Sequence, residues 1–161
     1  MKVKKKIAYL ITHGERIPET ANPGHTEEGL AQIRSLVLPA DVSLIMAGTG
    51  QRFEDILKII SEKLKGVPVK YSPFCGGAES RGSNKTIILA SGNVIPAESY
   101  VGLKAADIFD PWRLLEAVPD RTLFLAGGEL LGALGFQSIK HKACLYGIDL
   151  AKRTAIILSK V

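Results

Sequence analysis

Ile7-Ala8-Tyr9-Leu10-Ile11-Thr12-His13-Gly14-Glu15-Arg16 is a short apolar run that ends abruptly in a polar turn containing glycine. A run without a polar face, Ile7–Ile11, reads as a strand covered on both sides. Such strands belong to sheets that carry helices on both faces, and the rest of the chain follows that pattern. Thr26-Glu27-Glu28-Gly29 opens a helix, with Thr26 as its cap and acidic residues in the first turn. Val42–Ala47 is a second buried strand, broken at Gly48-Thr49-Gly50. Helical spacing of Phe53, Ile56, Leu57, Ile60 and Leu64 predicts a helix from about Arg52 to Leu64, ended by Gly66 and Pro68.

Farther on, Val67–Tyr71 reads as a third strand, Ser72 to Asn84 as a loop and Thr86–Ala90 as another strand. Asn93–Ala106 has no clear period. Asp110 caps a helix through Val118 with Pro111 in its first position, and Trp112 on that helix is assigned to packing. Leu123–Leu125 is a strand that gives way at Ala126-Gly127-Gly128 to a helix through about Leu134. Ala143–Asp149 and Thr154–Ser159 flank Leu150-Ala151-Lys152-Arg153 as a hairpin. The expectation is an α/β fold: a three-layer α/β/α sandwich over residues 1–161 as one domain. Its sheet is mostly parallel, with an antiparallel C-terminal hairpin at the edge. That edge is either protected by Lys152 and Arg153 or paired with a second copy in a homodimer.

Composition narrows the function classes. The 161 residues are 46% hydrophobic and 23% charged, which excludes wholesale disorder. The net charge of +5 owes four lysines to positions 2, 4, 5 and 6; without them the balance is 17 basic against 16 acidic residues. With only 6% aromatics, no nucleic-acid surface is expected. No apolar run approaches the roughly 18 residues of a membrane span, and Ile7–Ile11 is too short for a secretory core, so a cytoplasmic protein is expected. Cys75 and Cys144 form no CxxC pair, and His13, His25 and His141 form no ligand cluster, so neither metal nor cofactor is expected. His141, between Lys140 and Lys142, reads as exposed; His25 could approach the rim from the loop before the first helix, but is expected to be an exposed loop residue.

In a sheet of this kind ligands bind outside the carboxyl ends of the strands. Three such ends carry unusual residues: Thr12-His13-Gly14-Glu15-Arg16, Gly48-Thr49-Gly50-Gln51-Arg52 and Ala126-Gly127-Gly128-Glu129. His13 there either serves as a nucleophile or acid–base group, or is a histidine satisfied within a turn. Arg52, in the first turn of a helix after a glycine-rich loop, suits an anion. Alternatively, it pairs at the surface with Asp55. There is no dinucleotide fingerprint and no P-loop.

Ile11-Thr12-His13-Gly14-Glu15, followed by His25-Thr26-Glu27-Glu28-Gly29-Leu30-Ala31-Gln32, resembles the opening of the histidine phosphatase superfamily. That superfamily, which includes the cofactor-dependent phosphoglycerate mutases, begins with a strand, an Arg-His-Gly triplet and a Leu-Thr-x-x-Gly-x-x-Gln helix start. The similarity continues at Arg52 and at Phe124-Leu125-Ala126-Gly127-Gly128-Glu129, where the family has a strand ending in His-Gly. The resemblance implies a metal-independent mechanism through a phosphohistidine. It places the nucleophile on His13 and the second arginine on Arg52. The first arginine falls on Thr12, and the second histidine on Ala126, or on Gly127 if the alignment slips by one. For the acid it implies Glu79, with Glu15 as the other candidate. Thr12, Gly14, Arg16, Arg52 and Gly127 are the residues expected around a phosphate, with Arg16 or Arg81 available to replace the missing charge.

Two functions follow from this pattern. One is a protein with a degraded pocket and weak or no phosphatase activity, binding a small phosphorylated or acidic ligand near His13. The other is an active, divergent phosphomonoesterase working through a phosphohistidine at His13.

Overall fold

The computed structural model of the protein describes residues 6–14, 17–18, 24–72, 75, 81–82, 85–101, 110–126, 128–137 and 142–160, and only the backbone for 81–82 and 128–129. In chain order the elements are β1 (Ile7–Thr12), α1 (Glu27–Ser35), β2 (Leu44–Ala47), α2 (Gln51–Lys63), β3 (Val69–Tyr71), β4 (Arg81–Gly82) and β5 (Thr86–Ile88). There follow β6 (Val94–Pro96), a 3-10 turn (Ala97–Ser99), α3 (Pro111–Ala117), β7 (Thr122–Leu125), α4 (Gly128–Ala133), β8 (Cys144–Asp149) and β9 (Thr154–Lys160). Among the described residues, six strands form one sheet in the order β3-β2-β7-β1-β8-β9. The first four run parallel, and β8 and β9 are antiparallel at the edge.

The alternation of side chains along the strands divides the core into two layers. Ala8, Leu10, Met46, Phe124 and Tyr146 face α3 and α4, with Trp112, Leu115 and Leu131 packed on them. Tyr9, Ile11, Ile45, Leu123 and Leu145 face α1 and α2, meeting Ile33, Phe53, Ile56 and Ile60. The sandwich therefore has the three layers expected. Both sequence-read caps are formed: the Gly29 N–H donates to Thr26 Oγ1 at 3.1 Å, and the Trp112 N–H donates to Asp110 Oδ1 at 3.1 Å. Trp112 packs edge-to-face on Phe136, with the Arg153 guanidinium over its ring.

The middle of the chain departs from expectation. Thr86–Ile88 does not join the main sheet; β4, β5 and β6 form a separate antiparallel sheet. Arg81–Gly82, read as loop, is a strand of that sheet, and the unclear stretch after Asn93 supplies β6 and the 3-10 turn. The turn between β5 and β6 docks on the main sheet, where the Ser91 N–H donates to the Thr49 carbonyl at 3.1 Å. On the edge strand β9, Ile156, Ile157 and Leu158 are exposed.

The amino ends of the central strands are tied by a polar network. The Ile7 N–H donates to Asp120 Oδ1 at 2.7 Å, and Arg121 bonds both Asp120 and Asp41. The Tyr9 hydroxyl donates to Asp41 at 2.7 Å; burial and then that bond push its pKa up to about 12. Arg121 holds a left-handed backbone, φ 62°, between β7 and the contacts its main chain makes with Ile7 and Ser43. Side chains branched at Cβ resist that conformation. Arg121→Val is therefore expected to melt at a lower temperature than Arg121→Gly, although both lose the guanidinium.

Candidate functional site

The three strand ends singled out above lie on one rim. β7 sits between β1 and β2, and Ile11, Leu125 and Ala47 form a single row across them. The next residues leave the sheet together: the Ala126 N–H donates to the Ile11 carbonyl at 3.2 Å and the Gly48 N–H to the Leu125 carbonyl at 3.1 Å. The turn after β1 and the turn before α2 are thus two strand spacings apart, about 10 Å.

His13 is half-buried on this rim. Its Nδ1 donates to the Gly14 carbonyl at 2.9 Å. A carbonyl only accepts, so Nδ1 carries a proton. Gly14 is fixed in turn, because its N–H donates to His25 Nε2 at 2.9 Å. His25 therefore also carries its proton on Nδ1, which faces Asp55 Oδ2 at 3.1 Å. The same carboxylate oxygen accepts the His25 backbone N–H at 2.8 Å, and Gln51 donates to Oδ1 at 3.0 Å. The rings of His13 and His25 meet edge-to-face, with centroids 6.3 Å apart.

The expectation that His25 is an exposed loop residue is wrong: its side chain is fully buried. Its position just before the cap Thr26 brings it under the turn after β1, where Asp55 on α2 reaches it. Asp55 takes His25 and Gln51 as partners. Burial pushes the Asp55 carboxyl up, but the bonds from Gln51 and from the backbone and ring of His25 outweigh it and hold the carboxyl below its ordinary range.

The helix-start motif also acquires a physical meaning. A Cβ on Gly14 would lie 2.7 Å from the Gly29 carbonyl oxygen and 2.8 Å from Gln32 Oε1. Gly14 and Gly29 thus let α1 lie directly against the turn after β1, and Gln32 Oε1 accepts the Ala143 N–H at 3.3 Å. One motif caps the helix, seats it on the His-Gly turn and ties it to the start of β8.

Arg52 stands in the first turn of α2, half-buried, with its guanidinium 4.4 Å from the centre of the buried Phe53 ring. The helix is capped by Gly50, which has no side chain to oppose the partial positive charge of its amino end. Thr12 and Ala126 offer no charge. Thr12 is buried with its hydroxyl directed at the Cys144 carbonyl, 3.5 Å away, and Ala126 is packed in the layer under α3 and α4. Glu79, Glu15, Arg16 and Gly127, with the side chain of Arg81, lie outside the described residues, as does His141. Among the described residues no group of three His, Cys, Asp or Glu side chains could hold a metal ion, and no helix is long and apolar enough to cross a membrane. Cys75 is buried, which pushes its thiol up.

No protein-family model and no curated protein matches the sequence. Solved structures do match the fold. The alpha-ribazole phosphatase from Shigella flexneri superposes with a TM-score of 0.57 at 13% identity, covering 96% of this chain and 95% of that one. The mycobacterial glucosyl-3-phosphoglycerate phosphatase Rv2419c gives 0.53 at 13% identity, over 97% and 98%. TTHB049 from Thermus thermophilus gives 0.57 at 16% identity, over 96% and 98%. With β1 leading into His13, α1 seated on the His-Gly turn and the end of β7 beside them, the chain shares its fold with these solved structures over nearly its whole length.

Proposed function

We propose that the protein, as one phosphoglycerate mutase-like domain over residues 1–161, binds a small phosphorylated or acidic ligand beside His13, with weak or no phosphatase turnover. The observation that carries this reading is the pair Thr12 and Ala126, both buried and uncharged at the ends of β1 and β7. The family resemblance sets an arginine and a histidine there. A charge-assisted hydrogen bond contributes roughly 1.5–3 kcal/mol, so losing two removes roughly 3–6 kcal/mol. At about 1.4 kcal/mol per decade this is two to four powers of ten in rate, if the two act independently. Arg52 and the amino end of α2 still favour an anion. The reading extends to a homodimer paired along β9.

One observation favours the alternative, an active phosphomonoesterase. The His13 bond to the Gly14 carbonyl holds a proton on Nδ1, so that the neutral ring carries its lone pair on Nε2, where attack on phosphorus requires it. In that reading the Nε2–P bond forms as the ester P–O bond breaks. The leaving oxygen takes a proton from Glu79 or Glu15, and water then cleaves the phosphohistidine. Arg16 or Arg81 supplies the missing charge.

The test is direct. The purified protein is expected to bind inorganic phosphate, and Arg52→Ala to weaken that binding about 10- to 150-fold, the equivalent of one charge-assisted bond. On p-nitrophenyl phosphate and a panel of sugar phosphates, without added metal, turnover is expected at background. Turnover that His13→Ala abolishes would establish the alternative, and wild-type protein that neither binds nor hydrolyses would overturn both.

A further inference from the structure

We infer that His25 and Asp55 are positioning residues that hold the Nδ1 proton of His13 on the Gly14 carbonyl and so fix the orientation of its ring at the rim. The inference rests on reading His13 as the group that meets the ligand. Four groups are linked in one direction. Asp55 accepts from His25 Nδ1, His25 Nε2 accepts from the Gly14 N–H, and the Gly14 carbonyl accepts from His13 Nδ1. The negative end of this series is a carboxylate also held by Gln51 and the His25 backbone. Asp55 therefore keeps the His25 proton on Nδ1, which leaves Nε2 as the acceptor that Gly14 needs.

Gly14 is the joint between the two imidazoles. Its main chain is engaged on both sides, and Gly29 and Gln32 block any side chain on it. A buried N–H that loses its acceptor is costly, and a short turn relieves that cost by moving to another conformation. If the turn shifts, its carbonyl no longer faces His13 Nδ1, and the His13 ring is released to either tautomer. His25 itself is no ligand for an anion, since its Nε2 already accepts, its Nδ1 already donates and its side chain is fully buried. The family resemblance places leucine at this position, and leucine can neither accept from Gly14 nor donate to Asp55. The linkage is therefore a property of this chain.

The experiment uses full-length protein with nitrogen-15 in its histidine rings, where NMR separates a protonated ring nitrogen from one with a lone pair. Wild-type His13 is expected to show a protonated Nδ1. His25→Leu is expected to give an averaged tautomer at His13 and phosphate binding weaker by about 10-fold, the equivalent of one hydrogen bond. His25→Gln, whose amide can accept from Gly14 and donate to Asp55, is expected to restore both. A folded His25→Leu protein with an unchanged His13 signature would overturn the inference, as would a His25→Gln protein no better than His25→Leu. Should His25→Leu fail to fold, Asp55→Asn tests the same linkage, because an amide facing Nδ1 no longer selects one tautomer. An unaltered His13 signature in that variant would overturn the inference as well. Wild-type His13 signals that ignore inorganic phosphate would overturn the ligand reading instead, while the tautomer comparison still decides the positioning role.

Discussion

Asp55→Ala is expected to lower the stability of the protein by about 3 kcal/mol, the cost of breaking a largely buried pair. Three donors lose their acceptor at once: the His25 ring, the His25 backbone N–H and the Gln51 amide. The loss should appear in urea denaturation as a lower midpoint at an unchanged slope. Asp55→Asn adds a test of sign. The folded-state carboxyl lies below its ordinary value of 3.8, with burial opposing and the bonds from Gln51 and His25 prevailing. Its contribution is fully present above that ordinary value and is lost as pH falls through the folded-state value. The stability margin of wild type over Asp55→Asn should shrink through that acidic window. A margin that stays constant with pH would mean that the carboxylate charge contributes nothing there.

Gly14→Ala carries the other large effect. The added methyl would meet backbone atoms of Gly29 at 2.7 and 3.0 Å and Gln32 Oε1 at 2.8 Å. Backbone does not yield as a flexible side chain does, so α1 must move off the turn after β1. Overpacking of this kind costs about 1–3 kcal/mol, and this contact belongs at the upper end. Displacement also breaks the Gly14 bond to His25 and disturbs the Gln32 bond to Ala143. Thermal unfolding should fall by roughly 5–10 °C, since 2–3 kcal/mol moves a domain of this size by about 2–4 °C per kcal/mol. Inorganic phosphate binding should weaken in the same variant. A protein that melts as wild type does would show that the turn and α1 separate without cost.

Much of the architecture is legible in local chemistry. Thr26 and Asp110 cap helices because a hydroxyl or carboxylate placed before a helical stretch meets amides that have no other acceptor. Ile7–Ile11 and Leu123–Leu125 are apolar throughout because both of their faces are covered. Glycine-rich turns at the ends of β2 and β7 mark the rim. Thr86–Ile88 shows the limit of such signals. It has the composition of a central strand, yet it pairs with β4 and β6. Periodicity reports that a segment is extended and does not report which edge it joins.

His25 shows the same limit at the site. In sequence it neighbours Gly24 and Thr26 and two exposed glutamates, and nothing local marks it as buried. Its one signal is comparative: an imidazole stands where the family pattern has leucine. Asp55 lies thirty residues away, and only the packing of α2 beside α1 brings the carboxylate to the ring.

By itself the sequence determined which segments are strands and helices on the main sheet, the antiparallel closing hairpin, and a rim bearing His13 and Arg52. These depend on neighbours within a few positions, where side-chain periodicity and capping act. The tertiary structure alone decided that Thr12 turns to Cys144, that Ala126 packs under α3 and α4, and that Asp55, His25 and Gly14 lead to His13. Each of these depends on which surfaces meet once the apolar layers close, and that is set by the whole chain's packing and not by any single stretch of it.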